Sequence, residues 1–211
     1  MVGTRSSMGK PYRPKDHYFR KAKAEGFRAR SAFKIEEIVR RFSLLRSGAR
    51  VLDLGAAPGG FLQVLSEAVG PKGEVFGVDV AAIRPLGRAN VRTAVLDVLA
   101  EGFDERLEAL VGGAFDLVVS DLAPKTTGIR GTDEARSLAL AETALRLALS
   151  RGKPGSAFVT KLFMGGDFEP FRASLREAYE EVKVVRPEAT RGASVEVYLV
   201  GLRRRASLRA G

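Results

Sequence analysis

The segment from Val51 to Gly60 constrains the fold of this chain most, because an apolar stretch runs into an acidic residue and then a glycine-rich turn. It reads Val-Leu-Asp-Leu-Gly-Ala-Ala-Pro-Gly-Gly, and an amphipathic segment, Phe61 to Val69, follows directly. Glycines let the backbone turn sharply and approach a ligand closely. The free N–H groups at the start of a following helix complete a polar cradle. The segment therefore predicts a strand, a turn and a helix that hold a nucleotide-like cofactor at the carboxyl end of a parallel sheet.

Beyond this segment, predicted strands and helices alternate along the chain. Near-continuous apolar strands separated by helices are typical of a parallel sheet that is covered on both faces. Two late strands follow each other without a helix between them, which favours one antiparallel strand at an edge. We therefore predict an α/β fold with a Rossmann-like, mostly parallel twisted sheet. The predicted strands are 50–54, 74–80, 91–96, 115–121, 157–163, 182–185 and 195–202, and the predicted helices are 61–69, 105–111, 134–150 and 168–179.

A further helix is predicted ahead of the glycine-rich turn, with Ser31 as its candidate N-cap. The apolar residues that follow recur at helical spacing and mark a buried face. They are Ala32, Ile35, Ile38, Val39, Phe42 and Leu45. This helix would begin the main domain, predicted as residues 31–203. A basic arm, residues 1–30, would precede that domain, and a basic tail, residues 204–211, would follow it.

The positive charge of the protein is concentrated near the amino terminus. The net charge is +10, and residues 1–50 hold 14 Lys and Arg against 4 Asp and Glu, whereas the remainder holds 21 of each. A basic segment beside a neutral domain favours a polyanionic partner such as RNA, and interleaved aromatic residues can stack on bases. The alternative is a solvated tail with packing aromatics, and residues 1–15 are predicted to be mobile. The candidate RNA-binding residues are Lys15, Arg20, Lys21, Lys23, Arg28 and Arg30.

The composition excludes several kinds of site. The chain has no cysteine, which excludes disulfides, thiolate catalysis and sulfur-ligated metals. Its one histidine, His17, excludes a histidine-rich metal site, so we expect no metal. No apolar run approaches the roughly 18 residues of a membrane span, and no signal-peptide pattern is present. We expect a cytoplasmic protein with no membrane partner.

Acidic residues follow the first three predicted strands and point to the kind of cofactor. Asp53 lies in the glycine-rich segment, Asp79 ends the second strand and Asp97 follows the third. A carboxylate in the position of Asp79 can accept hydrogen bonds from ribose hydroxyls, and Asp97 would reach the adenine edge. The turn lacks the G-x-G-x-x-G dinucleotide pattern. The alternative interpretation makes all three acids ordinary turn formers. Together with the turn they favour a cofactor site, and the pattern looks like that of S-adenosylmethionine methyltransferases.

Four charged residues occupy positions where charges are costly. Lys161 and Glu196 interrupt otherwise apolar strands, Asp121 closes another strand, and Lys34 lies in the first turn of the 31–45 helix. The helix dipole disfavours a cation at Lys34, and a buried lysine is costly unless it is paired. Each residue alone has a plain interpretation as a snorkelling lysine, a turn aspartate or an edge-strand glutamate. Two cations and two anions together fit a single site in which opposite charges offset the cost of burial.

With these residues in place, the chain resembles the FtsJ-like RNA 2′-O-ribose methyltransferases, and among them the bacterial enzymes for large-subunit ribosomal RNA. The resemblance covers about residues 16–202. The motifs that carry it are Glu25-Gly-Phe-Arg-Ala-Arg-Ser-Ala-Phe-Lys34, Asp53-Leu-Gly-Ala-Ala-Pro-Gly-Gly60, Ser120-Asp-Leu-Ala-Pro124, Val159-Thr-Lys-Leu-Phe163 and Glu196-Val-Tyr198.

The resemblance implies a cofactor, S-adenosylmethionine, and a set of site residues. The implied catalytic tetrad is Lys34, Asp121, Lys161 and Glu196. The implied cofactor site contains Gly59, Phe61, Asp79, Asp97 and Asp121, and we predict that Asp53, Gly55 and Gly60 of the same turn belong to it. The sequence departs from the family where Phe61 replaces a usual tryptophan, where Lys125 replaces a common asparagine, and in the less basic stretch from Thr190 to Glu196. These departures concern RNA contact and loop geometry.

The implied reaction is methyl transfer from S-adenosylmethionine to a ribose 2′-hydroxyl, most specifically of a uridine in 23S ribosomal RNA. Lys161 is the hypothesised general base, a role that requires a neutral amine. The alternatives are a transfer RNA 2′-O-methyltransferase and an RNA-binding assembly factor without turnover. A small-molecule methyltransferase would have no need of the basic arm. An amino-methylating enzyme would carry a different motif at Asp121-Leu-Ala-Pro124. We expect a monomer.

Overall fold

The computed structural model describes residues 14–190 and 194–206, and the side chains from residue 17 onward. Seven strands form one sheet in the order β3-β2-β1-β4-β5-β7-β6. β1 to β5 pair in parallel, and β7 runs antiparallel to both of its neighbours, β5 and β6, so six of the seven strands share one direction. The strands are β1 Arg50–Leu54, β2 Glu74–Asp79, β3 Val91–Val95, β4 Phe115–Ser120, β5 Gly152–Phe163, β6 Tyr179–Val185 and β7 Glu196–Arg204.

Helices cover both faces of the sheet, as the apolar strands require. The helices are α1 Pro14–Ala24, α2 Ala32–Phe42, α3 Gly60–Val69, α4 Phe103–Val111, α5 Arg130–Arg151 and α6 Phe168–Ala178. Alternate residues of a strand point to opposite faces, so Leu52 packs with α4, α5 and α6, whereas Val51 packs with α2 and α3. Among the described residues, no helix combines the length and apolarity that a membrane span requires.

The predicted α/β class and the predicted strands are confirmed, with small shifts in their ends. β5 begins five residues before the predicted Ala157, and β7 continues to Arg204. The one antiparallel strand is β7, which lies next to the outermost strand β6. Its direction has a functional consequence, because the start of β7 pairs with the end of β5 and brings Glu196 opposite Phe163.

The helix predicted from Ser31 to Leu45 is shorter than predicted. It ends at Phe42, and Ser43 adopts a left-handed conformation (φ 50°) that stops the helix and donates its N–H to Arg40. Leu45 instead packs against the α2–α3 core from the following loop. The capping role predicted for Ser31 is wrong, because its backbone is helical and its side chain makes no capping hydrogen bond.

Part of the basic arm is helical, which the sequence analysis did not predict. Helix α1 packs through Ala22 and Tyr18 against Phe33 of α2 and Ala189 of the segment before β7. The contact places α1 against α2, the helix that carries Lys34. Residues 1–13, 191–193 and 207–211 lie outside the described residues, and they include most of the segment predicted to be mobile and most of the predicted tail.

Candidate active site

A cavity of about 420 Å³ opens at the carboxyl-terminal edge of the parallel strands. Ligand pockets of this size accommodate a nucleotide-like molecule. Four residues of the predicted cofactor set line it: Gly55 after β1, Asp79 at the end of β2, Asp97 after β3 and Asp121 after β4. The catalytic candidate Lys161 also lines the cavity. The structure therefore brings these five residues to one site, as the positions at the strand ends predicted.

The two acids that follow β2 and β3 hold the walls of the cavity. Asp79 accepts hydrogen bonds from the N–H of Ala57 (2.9 Å) and the N–H of Ala81 (2.8 Å). Asp97 accepts from the N–H of Leu99 at 2.9 Å. Both carboxylates thus form turns, the role considered in the alternative interpretation, and both also line the cavity. A carboxylate has about four acceptor positions, so the turns do not exhaust their capacity to bind a ligand.

Gly55 is required by a close approach of two loops. Its φ of +80° disfavours side chains, and a Cβ there would lie 3.0 Å from the backbone N of Leu122. The glycine lets the loop after β4 pack directly on the loop after β1. As a result Asp121 is held against β1, where its N–H donates to the carbonyl oxygen of Leu54 at 3.0 Å.

The remaining glycines and Phe61 do not line the described cavity. A Cβ on Gly59 would lie 3.3 Å from the Arg28 side chain, and a Cβ on Gly60 would lie 3.1 Å from Ala29. These glycines therefore make room for the end of the basic arm. Phe61 is only 3% exposed and packs in the α2–α3 core. Its aromatic ring serves the core in this structure, which differs from the cofactor contact that the resemblance implied.

Asp53 is a fully buried carboxylate with unused acceptors. Neither of its oxygens finds a hydrogen-bond partner among the described residues. Burial raises the pKa of Asp53 well above its ordinary value of 3.8, and the nearby charges of Asp121 and Asp79 raise it further. Since Asp79 and Asp121 line the cavity, the acceptors of Asp53 lie next to the site rather than in the outer core. Unpaired buried acceptors of this kind fit a cofactor that carries donors or positive charge.

The four residues of the predicted tetrad form two ion pairs. Lys34 pairs with Glu196, and its ammonium group is buried. Lys161 donates to the backbone carbonyl of Asp121 at 2.7 Å and to Asp121 Oδ1 at 2.9 Å. Helix α2 positions Lys34, whereas β5 positions Lys161 and β7 positions Glu196. Burial is tolerable for both lysines because each has an acidic partner.

Tyr198 connects the two ion pairs, and the sequence analysis gave it no role. It faces Lys161 across the β5–β7 ladder. Its hydroxyl donates to Asp121 Oδ1 at 2.7 Å, and Lys34 Nζ lies 5.7 Å from the centre of its ring. Burial raises the pKa of Tyr198 well above its ordinary value, and the charge of Asp121 adds to this. The hydroxyl therefore stays protonated as a donor. The signal in the sequence was its position two residues after Glu196, on the same face of β7.

The predicted RNA-binding residues separate into two groups. Arg20, Lys21 and Lys23 lie exposed on α1, and Lys21 also lies over the ring of Phe33 at 4.6 Å. The side chain of Lys15 lies outside the described residues. Arg28 and Arg30 are half-buried in the segment between α1 and α2. The first group is placed to meet a polyanion.

Arg28 has backbone partners in the cofactor loops. Its guanidinium donates to the carbonyl oxygens of Pro58 (3.2 Å), Arg84 (2.5 Å) and Pro85 (2.7 Å). Its backbone N–H donates to the side chain of Gln63 at 2.8 Å. These contacts clamp the glycine-rich turn to the loop that follows Asp79 and so close one side of the cofactor site.

Comparison with known proteins gives a consistent result. Residues 27–204 match the FtsJ-like methyltransferase family. A protein of Myxococcus xanthus (strain DK1622) named Ribosomal RNA large subunit methyltransferase E is 68% identical over 206 residues, which cover 98% of this chain and 97% of that protein. A protein of the same name from Anaeromyxobacter sp. (strain Fw109-5) is 55% identical over 204 residues, 96% of this chain and 74% of that protein.

Solved structures show the same fold. A ribosomal RNA methyltransferase from Plasmodium falciparum superimposes with a TM-score of 0.74 at 22% identity, over 84% of this chain and 98% of that one. Aeropyrum pernix fibrillarin with bound S-adenosyl-L-methionine gives a TM-score of 0.60 at 18% identity, over 82% and 76% of the two chains. At these identities the likeness concerns the fold, and it confirms the predicted S-adenosylmethionine-dependent methyltransferase architecture.

We expect Asp53→Asn to change how stability depends on pH. With its pKa raised in the folded state, Asp53 favours folding below pH 3.8, and this contribution is lost as pH rises toward the folded pKa. The side-chain amide of the Asn variant does not titrate, so the variant does not lose this stability as pH rises. Thermal unfolding without cofactor, from pH 5 to 8, should therefore show the variant gaining on the wild type as pH rises.

Asp133→Asn is the control of opposite sign. Hydrogen bonds from the backbone N–H and hydroxyl of Thr127 and the N–H of Gly128 lower the pKa of Asp133, so its contribution is present at neutral pH and lost on acidification. Below about pH 5 this variant should lose stability relative to the wild type as pH rises, and from pH 5 to 8 the difference between the two should stay constant. A flat difference between Asp53→Asn and the wild type across the pH range would contradict the assignment for Asp53.

The Arg28→Lys variant distinguishes between two roles of Arg28: holding the cofactor loops together and binding RNA. Lysine keeps the positive charge but cannot reach three carbonyl oxygens with a planar fork. We expect weaker cofactor binding by calorimetry, and a free energy of unfolding lower by about 1–3 kcal/mol for the lost hydrogen bonds. Lys23→Arg, on exposed α1, is the control and should leave both quantities unchanged. Normal cofactor affinity in Arg28→Lys together with weakened RNA binding would instead support the RNA role predicted from sequence.

Proposed function

The chain belongs to the FtsJ-like methyltransferase family, and from this membership we propose that it methylates a ribose 2′-hydroxyl of large-subunit ribosomal RNA. The protein is an S-adenosylmethionine-dependent methyltransferase. The relatives that match it over almost their whole length bear the name Ribosomal RNA large subunit methyltransferase E. We propose a uridine of 23S RNA as the target.

One observation carries the chemical part of the proposal: a connected set of two amines and two carboxylates borders the cofactor cavity. Lys161 and Asp121 line the cavity, and Tyr198 joins them to Lys34 and Glu196. We propose that the protein acts as a monomer. An RNA-binding protein without turnover would need neither the buried lysines nor the cavity.

The residues around the cavity fit S-adenosylmethionine. Asp79 and Asp97 would hold its ribose and adenine, and the unpartnered acceptors of Asp53 suit a cofactor that carries positive charge. Gly55 keeps the space beside Leu122 free of a Cβ. When bound, this cofactor supplies a methyl group that its sulfonium charge has already activated. The protein must therefore align the ribose and take up one proton.

We assign the proton to Lys161 Nζ. Asp121 occupies two donor positions of this amine, through its carbonyl and its carboxylate, so one position of Nζ remains for the substrate hydroxyl. The transfer requires a neutral amine at that moment. Lys34 and Glu196 would orient the ribose, because Lys34 Nζ lies 5.7 Å from the centre of the Tyr198 ring and is held by its ion pair with Glu196.

The basic arm would bind the RNA backbone. Exposed Arg20, Lys21 and Lys23 lie on α1, and α1 packs through Phe33 on α2, the helix that carries Lys34. Phosphate binding on this helix would bring a neighbouring ribose to the catalytic edge, which is the edge formed by the carboxyl-terminal ends of the parallel strands, where the cavity and the tetrad lie. In this proposal residues 31–203 perform the transfer, and residues 204–211 add a basic tail. The proposed substrate places the activity in the cytoplasm.

Lys161→Arg tests the mechanism. Arginine preserves the charge and cannot accept the proton, so we expect the turnover number to fall by at least about 100-fold, the lower range for general-base catalysis. The matched control is Lys153→Arg, because Lys153 lies at the opposite end of the same strand and pairs there with Asp116. It should keep wild-type turnover. The assay measures radiolabelled methyl transfer to unmodified large ribosomal subunits at saturating substrate, followed by mapping of the label.

The same assay decides the substrate. Small subunits and bulk transfer RNA serve as competing acceptors. Label on a 2′-oxygen of the large subunit supports the proposal, and label only on transfer RNA preserves the chemistry but overturns the substrate. No label on any RNA despite cofactor binding would point to an assembly role. Near-wild-type turnover of Lys161→Arg would refute the proton assignment.

Neutralising two charges of α1 tests the RNA surface. The double variant Arg20→Gln/Lys23→Gln should bind RNA more weakly and lower the slope of log affinity against log salt by about 0.7–0.9 per lost phosphate contact. Cofactor affinity should not change. Lys72→Gln/Arg176→Gln removes two exposed charges at the opposite ends of the strands, before β2 and in the last turn of α6, and is the control. Equal salt slopes for the two double variants would show that α1 does not bind phosphates.

A further inference from the structure

We propose that exposed apolar side chains beside the catalytic residues form a platform for the base of the methylated nucleotide. The platform consists of Ile129, Met164 and Val195. The inference rests on the proposed function and extends it, because it assigns a binding site to the base, whereas the tetrad acts on the ribose.

The platform belongs to an uneven distribution of apolar surface. Ile129 is 66% exposed, Met164 43% and Val195 45%. Single exposed apolar residues are ordinary. Here, however, six of the nine large apolar side chains that are exposed in the described part of the chain lie at or just beyond the catalytic edge of the sheet. The six are Val80, Val95, Leu99, Ile129, Met164 and Val195. An apolar concentration at one edge indicates a binding surface.

Contacts place the platform next to the tetrad. Val195 immediately precedes Glu196, and Met164 immediately follows Phe163, the strand partner of Glu196. The N–H of Met164 donates to the carbonyl oxygen of Val195 at 2.9 Å, so these two residues are neighbours. Met164 and Val195 therefore directly flank the ends of β5 and β7, the strands that carry Lys161 and Glu196.

The start of α5 forms the third side. Ile129 is the residue before this helix. A Cβ on Gly165 would clash with the Glu134 carboxylate of α5, so the loop that carries Met164 packs tightly on the first turns of the helix. The residue before α5 and the loop after β5 therefore lie on the side of the site away from the cofactor strands β2 and β3.

The backbone of the platform is held in place before any ligand binds. Arg186 donates to the carbonyl oxygen of Ser194 at 2.5 Å, and the N–H of Glu196 donates to the hydroxyl of Ser194 at 3.3 Å. Together with the Met164–Val195 hydrogen bond, these contacts fix the residues that flank Val195. A fixed surface loses little entropy when a ligand binds.

A nucleobase is the occupant that fits this position. The base is attached to C1′ of the ribose, next to the carbon that carries the reacting 2′-oxygen. Any nucleotide whose 2′-oxygen lies at Lys161 must therefore place its base within a few ångströms of the tetrad. Enzymes that act on nucleotides taken out of a stack hold the base against apolar or aromatic side chains. A thioether such as that of Met164 makes favourable contacts with aromatic rings. The platform side chains are uncharged and therefore suit a base, whereas the phosphates of the RNA would bind to the basic arm.

The test compares platform variants with a control elsewhere on the surface. Met164→Ala and Val195→Ala are compared with Leu110→Ala, whose native side chain is 42% exposed near the end of α4. Each variant is assayed for single-turnover methylation of a large-subunit RNA fragment, for cofactor affinity and for thermal unfolding. We expect kcat/KM for RNA to fall about two- to tenfold in each platform variant, with cofactor affinity and unfolding unchanged. Met164→Leu should restore activity, and Leu110→Ala should match the wild type.

An abasic substrate makes the test specific for the base. Removing the base at the mapped nucleotide should lower wild-type activity and abolish the difference between wild type and Met164→Ala, since the two changes remove the same contact. If Met164→Ala loses the same factor on both substrates, or behaves like Leu110→Ala, the platform does not hold the base. A loss seen only on assembled subunits would replace the base with a ribosomal protein and overturn the inference. Failure of the wild type to methylate any RNA would overturn the proposed function itself.

Discussion

The carboxylate of Asp121 is the interaction on which the rest of the site depends. Its Oδ1 accepts hydrogen bonds from both Lys161 and Tyr198, and its backbone N–H binds the end of β1. One residue therefore ties together β1, β4, β5 and β7 at the edge where the cofactor cavity opens. A buried ammonium group is unfavourable without such a partner. The opposite charges allow two lysines to lie in an interior that would otherwise exclude them.

Residues whose role follows from local pattern could be predicted from the sequence. The strand and turn around Asp53 impose one backbone path, and parallel strands bring the residues after them, such as Asp79 and Asp121, to a common edge. Lys34, Lys161 and Glu196 stood out because charges interrupted apolar periodicity. The structure brings all of these residues together at one edge.

Roles that depend on long-range contacts could not be predicted in the same way. Arg28 looked like one basic residue among many, and only the folded chain brings carbonyl oxygens 30 and 57 residues away to its guanidinium. Phe61 faces the core because α3 packs on α2, which its position after the glycines does not reveal. Helix α1 has few apolar residues, so its packing on Phe33 gave no periodic signal.

The direction of β7 also determines how a very large substrate can approach. The strand starts at Glu196 on the catalytic edge and ends at Arg204 on the opposite edge, where the Arg204 guanidinium binds the Leu149 carbonyl of α5. Arg205 and Ala206, the described residues that follow β7, therefore lie on the far side of the protein from the reacting atoms. A large RNA substrate can lie against the catalytic edge without meeting Arg205 or Ala206. For the same reason, a tether attached after β7 would immobilise the enzyme with its active site facing outward.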